Sequence, residues 1–212
     1  MVSTLLQRLH AHFGPQQWWS EASRFEIVVG ALLVQRTTWT NAARAIENVR
    51  SAGLLSVEAI AESNPDELER LIRPAGFFRT KAVRLCGLAR FVAEHGGLTS
   101  FDVLGTDVLR QRFLSLPGIG PETADVITAY AFNRAVFVVD AYARRLFGRR
   151  DKCWARRSDA ELKTHVETSL RNADELNELH ALIVAHGKRY CRSSPCCSEC
   201  PLRAGCEFPT RS

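Results

Sequence analysis

The chain has 212 residues, 46% of them hydrophobic, which is material for one compact unit or two small lobes and rules out an assembly of several large domains. Twenty-eight Lys and Arg against 23 Asp and Glu leave a net charge of +5, compatible with a polyanionic partner without requiring one. No segment is apolar for long enough to span a bilayer, and MVSTLLQRLHAHFG lacks the features of a signal peptide, so a soluble, cytoplasmic or otherwise intracellular protein with no membrane partner is expected. Helical periodicity dominates and strand alternation is absent, so the expected fold class is all-α. Residues 3–13 read as a first helix, ended by Gly14 and Pro15. Residues 16–20 are irregular and carry Trp18 and Trp19, which as neighbours cannot share one helical face and either fill core gaps or offer an aromatic surface. Phe25, Val28, Val29, Leu32 and Leu33 follow the spacing of a helix with one buried face, ending near Gln35. Residues 36–41 are polar apart from Trp39, and Thr40 is the expected N-cap of a helix reaching about residue 52.

Short helices follow at 56–61 and 65–72. Gly76, Phe77, Phe78, Arg79, Thr80 and Lys81 then introduce a long helix to about residue 95. The two phenylalanines beside Arg79, Lys81 and Arg84 either seal the core at a loop or form an apolar wedge with flanking phosphate contacts, Phe77 being the candidate wedge. After Gly96-Gly97, residues 106–114 form a helix that leads into the most informative stretch of the chain, LSLPGIGPETADVITAYAFNRAVFVVD. Pro117, Gly118, Ile119 and Gly120 turn the chain within four residues, the glycines tolerating positive φ, and Pro121 presets the first turn of a helix expected over 121–132 with Val126, Ile127, Tyr130 and Ala131 facing a core. Such a turn either simply joins two helices or seats a nucleic-acid phosphate on its free N–H groups. Glu122 is an acid favoured in a first helical turn. Residues 136–139 are an apolar extended run delivering Asp140 to the next helix, where an Asp either caps or catalyses.

Arg144, Arg145, Arg149, Arg150 and Lys152 make residues 141–152 a basic run, which is either a solvated face or a phosphate contact. Ser158 is expected to cap a helix to 169, and 173–190 forms the last long helix. Cys191, Cys196, Cys197, Cys200 and Cys206 fall within sixteen residues. Such density implies a metal, zinc or iron–sulfur, in a reducing compartment. Cys86 and Cys153 read as ordinary buried thiols.

Leu116-Pro117-Gly118-Ile119-Gly120, Thr123-Ala124 and Val139-Asp140, together with the cysteine cluster, resemble the endonuclease III superfamily of helix-hairpin-helix DNA glycosylases over nearly the whole chain. The resemblance implies a two-lobed fold: a six-helix lobe at 23–136 carrying the hairpin, and a discontinuous lobe at 1–22 and 137–212 with an iron–sulfur loop at 191–206. It implies a 4Fe-4S cluster held by Cys191, Cys197, Cys200 and Cys206. The family usually has six residues between its first two ligands where Cys191 and Cys197 have five, which leaves Cys196 as the alternative. Asp140 would stabilise positive charge on the sugar and orient the attacking water once the damaged base is flipped out. Gln35 would fill the gap left by that base, and Leu116, Gly118, Gly120, Phe77, Lys81 and Arg144 would contact double-stranded DNA.

Lyase-competent members carry a lysine where this chain has Glu122, and a carboxylate cannot form an imine. A monofunctional glycosylase is therefore expected. Glu122, the following Thr-Ala-Asp, and Thr37-x-Trp39-Thr40-Asn41 resemble the endonuclease III-like 3-methyladenine DNA glycosylases. In that branch aromatic side chains stack on the flipped purine, which matches Trp39 and either Trp18 or Trp19 here. The expected activity is excision of alkylated purines, chiefly 3-methyladenine, by a monomer. Alternatives are a glycosylase for oxidised pyrimidines or mismatched thymine, and a non-catalytic iron–sulfur DNA-binding protein.

Overall fold

The structure, a computed structural model, describes residues 2–208. Every element among them is helical, and no helix among them is long and apolar enough to cross a membrane. The chain divides into two units, a central one at Glu21–Phe132 and a terminal one made of Met1–Ser20 and Asn133–Ser212.

The central unit is built around Arg24–Leu33 (α2), a helix buried at eight of the nine positions from Phe25 to Leu33, all but Glu26. Ser23 starts it by accepting the Glu26 N–H. Trp39–Ser51 (α3) packs on it through Ala42, Ala45, Ile46 and Val49. The cap of α3 is Thr38 and not the expected Thr40: Thr38 is extended and its hydroxyl accepts the Asn41 N–H at 3.3 Å, while Thr37 takes the Asn41 amide at 3.2 Å. Two hydroxyls in succession thus hold Asn41, and the helix starts one residue before Thr40. Val57–Glu62 (α4) and Pro65–Leu71 (α5) are capped by Ser56 and Asn64. A 3-10 turn at Arg73–Ala75 leads into Phe78–Glu94 (α6), which packs against α4 and α5.

Thr106–Leu114 (α7) and Pro121–Val126 (α8) flank the glycine turn. The helix expected to run to 132 widens into a π turn at Ile127–Ala131. The Thr128 hydroxyl donates to the Ala124 carbonyl at 2.7 Å, a side-chain bond that competes with the α-helical backbone pattern. Ile127 and Ala131 are buried as expected, whereas Val126 and Tyr130 are half-buried. Phe101, Phe113 and Phe132 meet at ring separations of 5.6 and 5.7 Å and close this end of the unit.

The terminal unit joins both chain ends. Val2–Phe13 (α1) contributes Val2, Leu5 and Leu9 to a core shared with Ala141–Arg150 (α9), Asp159–Ser169 (α10) and Ala173–Arg189 (α11). Ser158 and Glu161 form a reciprocal capping box at the start of α10. Phe137, from the extended stretch before α9, and Leu202, from the cysteine loop, complete this core.

Candidate active site and nucleic-acid interface

In the terminal unit, Val136, Phe137 and Val138 are buried and fix the path of the chain into Asp140. Asp140 caps α9, its Oδ1 accepting the Ala143 N–H at 2.7 Å. Its Oδ2 lies 3.7 Å from His180 Nε2 on α11, with the two side chains 13% and 6% exposed. The Trp18 ring stands edge-on to His180 at 5.6 Å and is itself 38% exposed. The irregular stretch before it is pinned from α11 as well, since Glu178 accepts the Gln16 N–H at 2.9 Å. Trp18, His180 and Asp140 thus form a string within one unit. Trp19 is half-buried and held at φ 63°. His180 had no motif to mark it in the sequence.

In the central unit, the turn after α7 closes through the Ile119 N–H and the Leu116 carbonyl, with Leu116 half-buried. Gly118 takes φ +84°, and a Cβ there would meet Arg84 Nε at 2.2 Å. Of the two glycines, only Gly118 uses this freedom; Gly120 is extended at φ −87° as the N-cap of α8. Glu122 is exposed in the first turn of α8. The Gln35 amide group donates to the Gly118 carbonyl at 3.0 Å and to the Thr123 hydroxyl at 2.9 Å. It therefore braces the hairpin, and would have to release these bonds to enter a gap in DNA.

Phe77 is 64% exposed at φ 48°, and the Arg36 guanidinium lies 6.0 Å from its ring. Trp39, the first residue of α3, is 42% exposed. Two expected phosphate contacts are corrected. Lys81 is 2% exposed and its ammonium donates to the carbonyls of Leu33, Gln35 and Ala75 at 2.8–2.9 Å, so no donor remains for DNA. Arg144 pairs with Asp159 at 3.0 Å and donates to the carbonyls of Trp154 and Arg157, tying α9 to the segment that leads into α10. Arg145 and Arg149 likewise donate to the carbonyls of Cys191 and Arg192, both at 2.6 Å. Much of the basic run fastens its own unit because backbone carbonyls in the irregular segments beside it lack helical partners.

Cys191, Cys196, Cys197, Cys200 and Cys206 line one pocket, closed on the core side by Leu146, His186 and Leu202. Burial pushes the Cys200 thiol up, the Leu202 N–H opposes it, and the thiols of Cys191, Cys206 and Cys197 add to the rise. His186 Nε2 lies 3.2 Å from Cys200 Sγ, and burial pushes this imidazole down to about 4, so it is neutral near pH 7. Cys196 instead accepts from the Arg192 guanidinium at 2.9 Å on the exposed side. Among the described residues no three metal-binding side chains converge on a point that would hold a single ion. Cys86 is buried as expected. Cys153 is exposed, a correction whose reason is that the neighbouring Trp154 takes the core position on that turn.

The central unit thus presents a glycine hairpin braced against a helix start, and the terminal unit an Asp at a helix start. The chain belongs to the HhH-GPD superfamily of base excision DNA repair proteins, whose profile matches residues 29–172. It is 40% identical over 211 residues to a Methanocaldococcus jannaschii protein named "Putative DNA repair glycosylase MJ1434", covering 97% of this chain and 96% of that one. It is similar to the crystal structure of the H. pylori 3-methyladenine DNA glycosylase MagIII bound to 1,N6-ethenoadenine, with TM-score 0.75 and 25% identity over 88% of this chain and 97% of that one. A non-covalent endonuclease III–DNA complex shares the fold, with TM-score 0.79 and 22% identity over 97% of this chain and 93% of that one. The chain is thus a DNA glycosylase of the base excision class.

Proposed function

We propose that the protein, as a monomer, hydrolyses the glycosidic bond of alkylated purines, chiefly 3-methyladenine, in double-stranded DNA and leaves the abasic strand uncut. The observation that carries the reading is Glu122 in the first turn of α8, where attack on the sugar would need an amine. The similarity to an enzyme named as a 3-methyladenine glycosylase supports the choice of base.

N3- and N7-alkylated purines in DNA carry positive charge, so the exposed faces of Trp39 and Trp18 attract them more than normal bases. Trp18 is preferred over Trp19 because it stands on the imidazole beside Asp140. The glycosidic bond of such a base is already weak. Its departure leaves positive charge on the sugar, which the Asp140 carboxylate stabilises while Oδ2 orients water; Oδ1 stays on the Ala143 N–H and keeps the group in place. The hairpin N–H groups near Gly118 and Gly120 take a backbone phosphate, and Phe77 enters the duplex.

Cys191, Cys197, Cys200 and Cys206 are proposed to hold a 4Fe-4S cluster. A zinc ion needs its four ligands about 2 Å from one point. Thiols in the spacing Cys197-x2-Cys200-x5-Cys206, with Cys191 on the same pocket, suit a cage of several metal and sulfide atoms better. When bound, the cluster serves as a structural tie for the loop.

Incubation with methylated duplex DNA tests the function. Free 3-methyladenine is expected, with an abasic strand that breaks only on later alkali treatment and no covalent adduct after borohydride. Release of oxidised pyrimidines or mismatched thymine in its place, or of no base at all, would overturn the reading.

A further inference from the structure

Lys81 was expected at the surface and lies in the interior, where its three N–H donors meet three carbonyls from separate segments. Leu33 is the last residue of α2, Gln35 belongs to the α2–α3 loop, and Ala75 ends the 3-10 turn before Phe77. A cation is favoured at the C-terminal end of a helix, and the tetrahedral ammonium suits three convergent acceptors better than the planar fork of an arginine. The loop and the turn each carry a non-glycine residue at positive φ, Arg36 at 54° and Phe77 at 48°, and these two face each other at 6.0 Å. Such backbone persists only where its surroundings over-determine it. The tie also extends beyond these segments, because Gln35, held through its carbonyl by Lys81, holds Gly118 and Thr123 through its amide.

We propose that Lys81 is a positioning residue that locks the loop at 34–38 and two DNA-contacting segments, 73–77 and 117–120, into one preformed surface. The proposal rests on the reading of Phe77 and the hairpin as DNA contacts. Its effect on binding is to remove the cost of ordering those segments when DNA arrives. Burial lowers the amine to about 8, so the charged form that ties all three carbonyls predominates below that pH.

The test is Lys81→Met in the full chain, which keeps the stem and removes the donors. Hydrogen exchange without DNA is expected to show protection at 34–38, 73–77 and 117–120 falling about tenfold or more, with α11 unchanged. The Kd for a duplex carrying a tetrahydrofuran abasic-site analogue should rise about tenfold, but only about twofold or less when the same change is made in Phe77→Ala. Unchanged protection, or the same tenfold loss with and without Phe77, would overturn the proposal. A wild-type protein that ignored abasic DNA would sink the functional reading instead, and the exchange arm would still judge the tie. If Lys81→Met does not fold, the wild type is followed from about pH 7 to about pH 9.5, with protection corrected for intrinsic exchange. Charged side chains on the surrounding elements include Arg36 in the loop, Arg73 in the turn, Arg79 and Arg84 on α6, and Glu69 on α5, which pairs with Arg79. The three segments should loosen together as the ammonium is lost; loosening of one alone, or none, would refute the lock.

Discussion

Asp140 carries two roles that substitutions separate. Asn caps a helix about as well as Asp, so Asp140→Asn should keep the bond to Ala143 and leave unfolding free energy within about 0.5 kcal/mol of wild type. Base release in single turnover should nevertheless fall by about a hundredfold or more, because the amide no longer offers negative charge to the sugar. Asp140→Ala should lose the same activity and about 1 kcal/mol of stability besides. Retained release in Asp140→Asn would reduce the residue to a cap. At this scale the sequence was informative about local position, as with Glu122, an acid expected and found in a first helical turn. It misplaced Lys81 as a DNA contact, since a lysine amid arginines and phenylalanines at a loop reads as a surface charge. Only three carbonyls from segments distant in sequence reveal it as an interior group.

At the scale of elements, the two hairpin glycines predict opposite behaviour. Gly118→Ala forces a Cβ onto φ +84° and into the Arg84 side chain at 2.2 Å. Arg84 is flexible and can move, so the cost is chiefly the left-handed backbone, roughly 1–2 kcal/mol, read as a lower unfolding midpoint in denaturant. Gly120→Ala meets nothing within 4 Å at φ −87° and should change stability by less than about 0.5 kcal/mol. Its effect should instead appear as weaker binding of duplex DNA, since a methyl group there obstructs only what approaches from outside. Equal stability losses for the two would contradict the geometry of the turn. The order of helices from α1 to α11 was legible from apolar spacing, and the hairpin from its Pro and Gly. The start of α3 and the π turn were not. Thr37, Thr38 and Thr40 all suit a cap, and the widened turn depends on where the Thr128 hydroxyl points.

For the whole molecule, the decisive packing is long-range. Periodicity gives α1 and α11 each an apolar face, but not that the first helix and the last share one core. That arrangement entered the sequence reading only through family resemblance. The cysteine loop belongs to the same core through Leu202, which is 1% exposed, so the proposed cluster would also bear on the stability of the terminal unit. Cys197 and Cys196 offer a test of that link. Cys200 is within electrostatic reach of Cys191, Cys197 and Cys206, whereas Cys196 is engaged by Arg192 on the exposed side. Cys197→Ser should therefore yield protein lacking iron and acid-labile sulfide, and Cys196→Ser should retain both. Without the tie, Leu202 loses its fixed seat, worth about 2 kcal/mol of apolar burial. Hydrogen-exchange protection should then fall in α1, α9 and α11 while α2 and α6 keep theirs, because the central unit has its own core. Iron lost from Cys196→Ser and kept in Cys197→Ser would transfer the second ligand to Cys196. Protection lost equally in both units would show that the loop stabilises more than the core it touches.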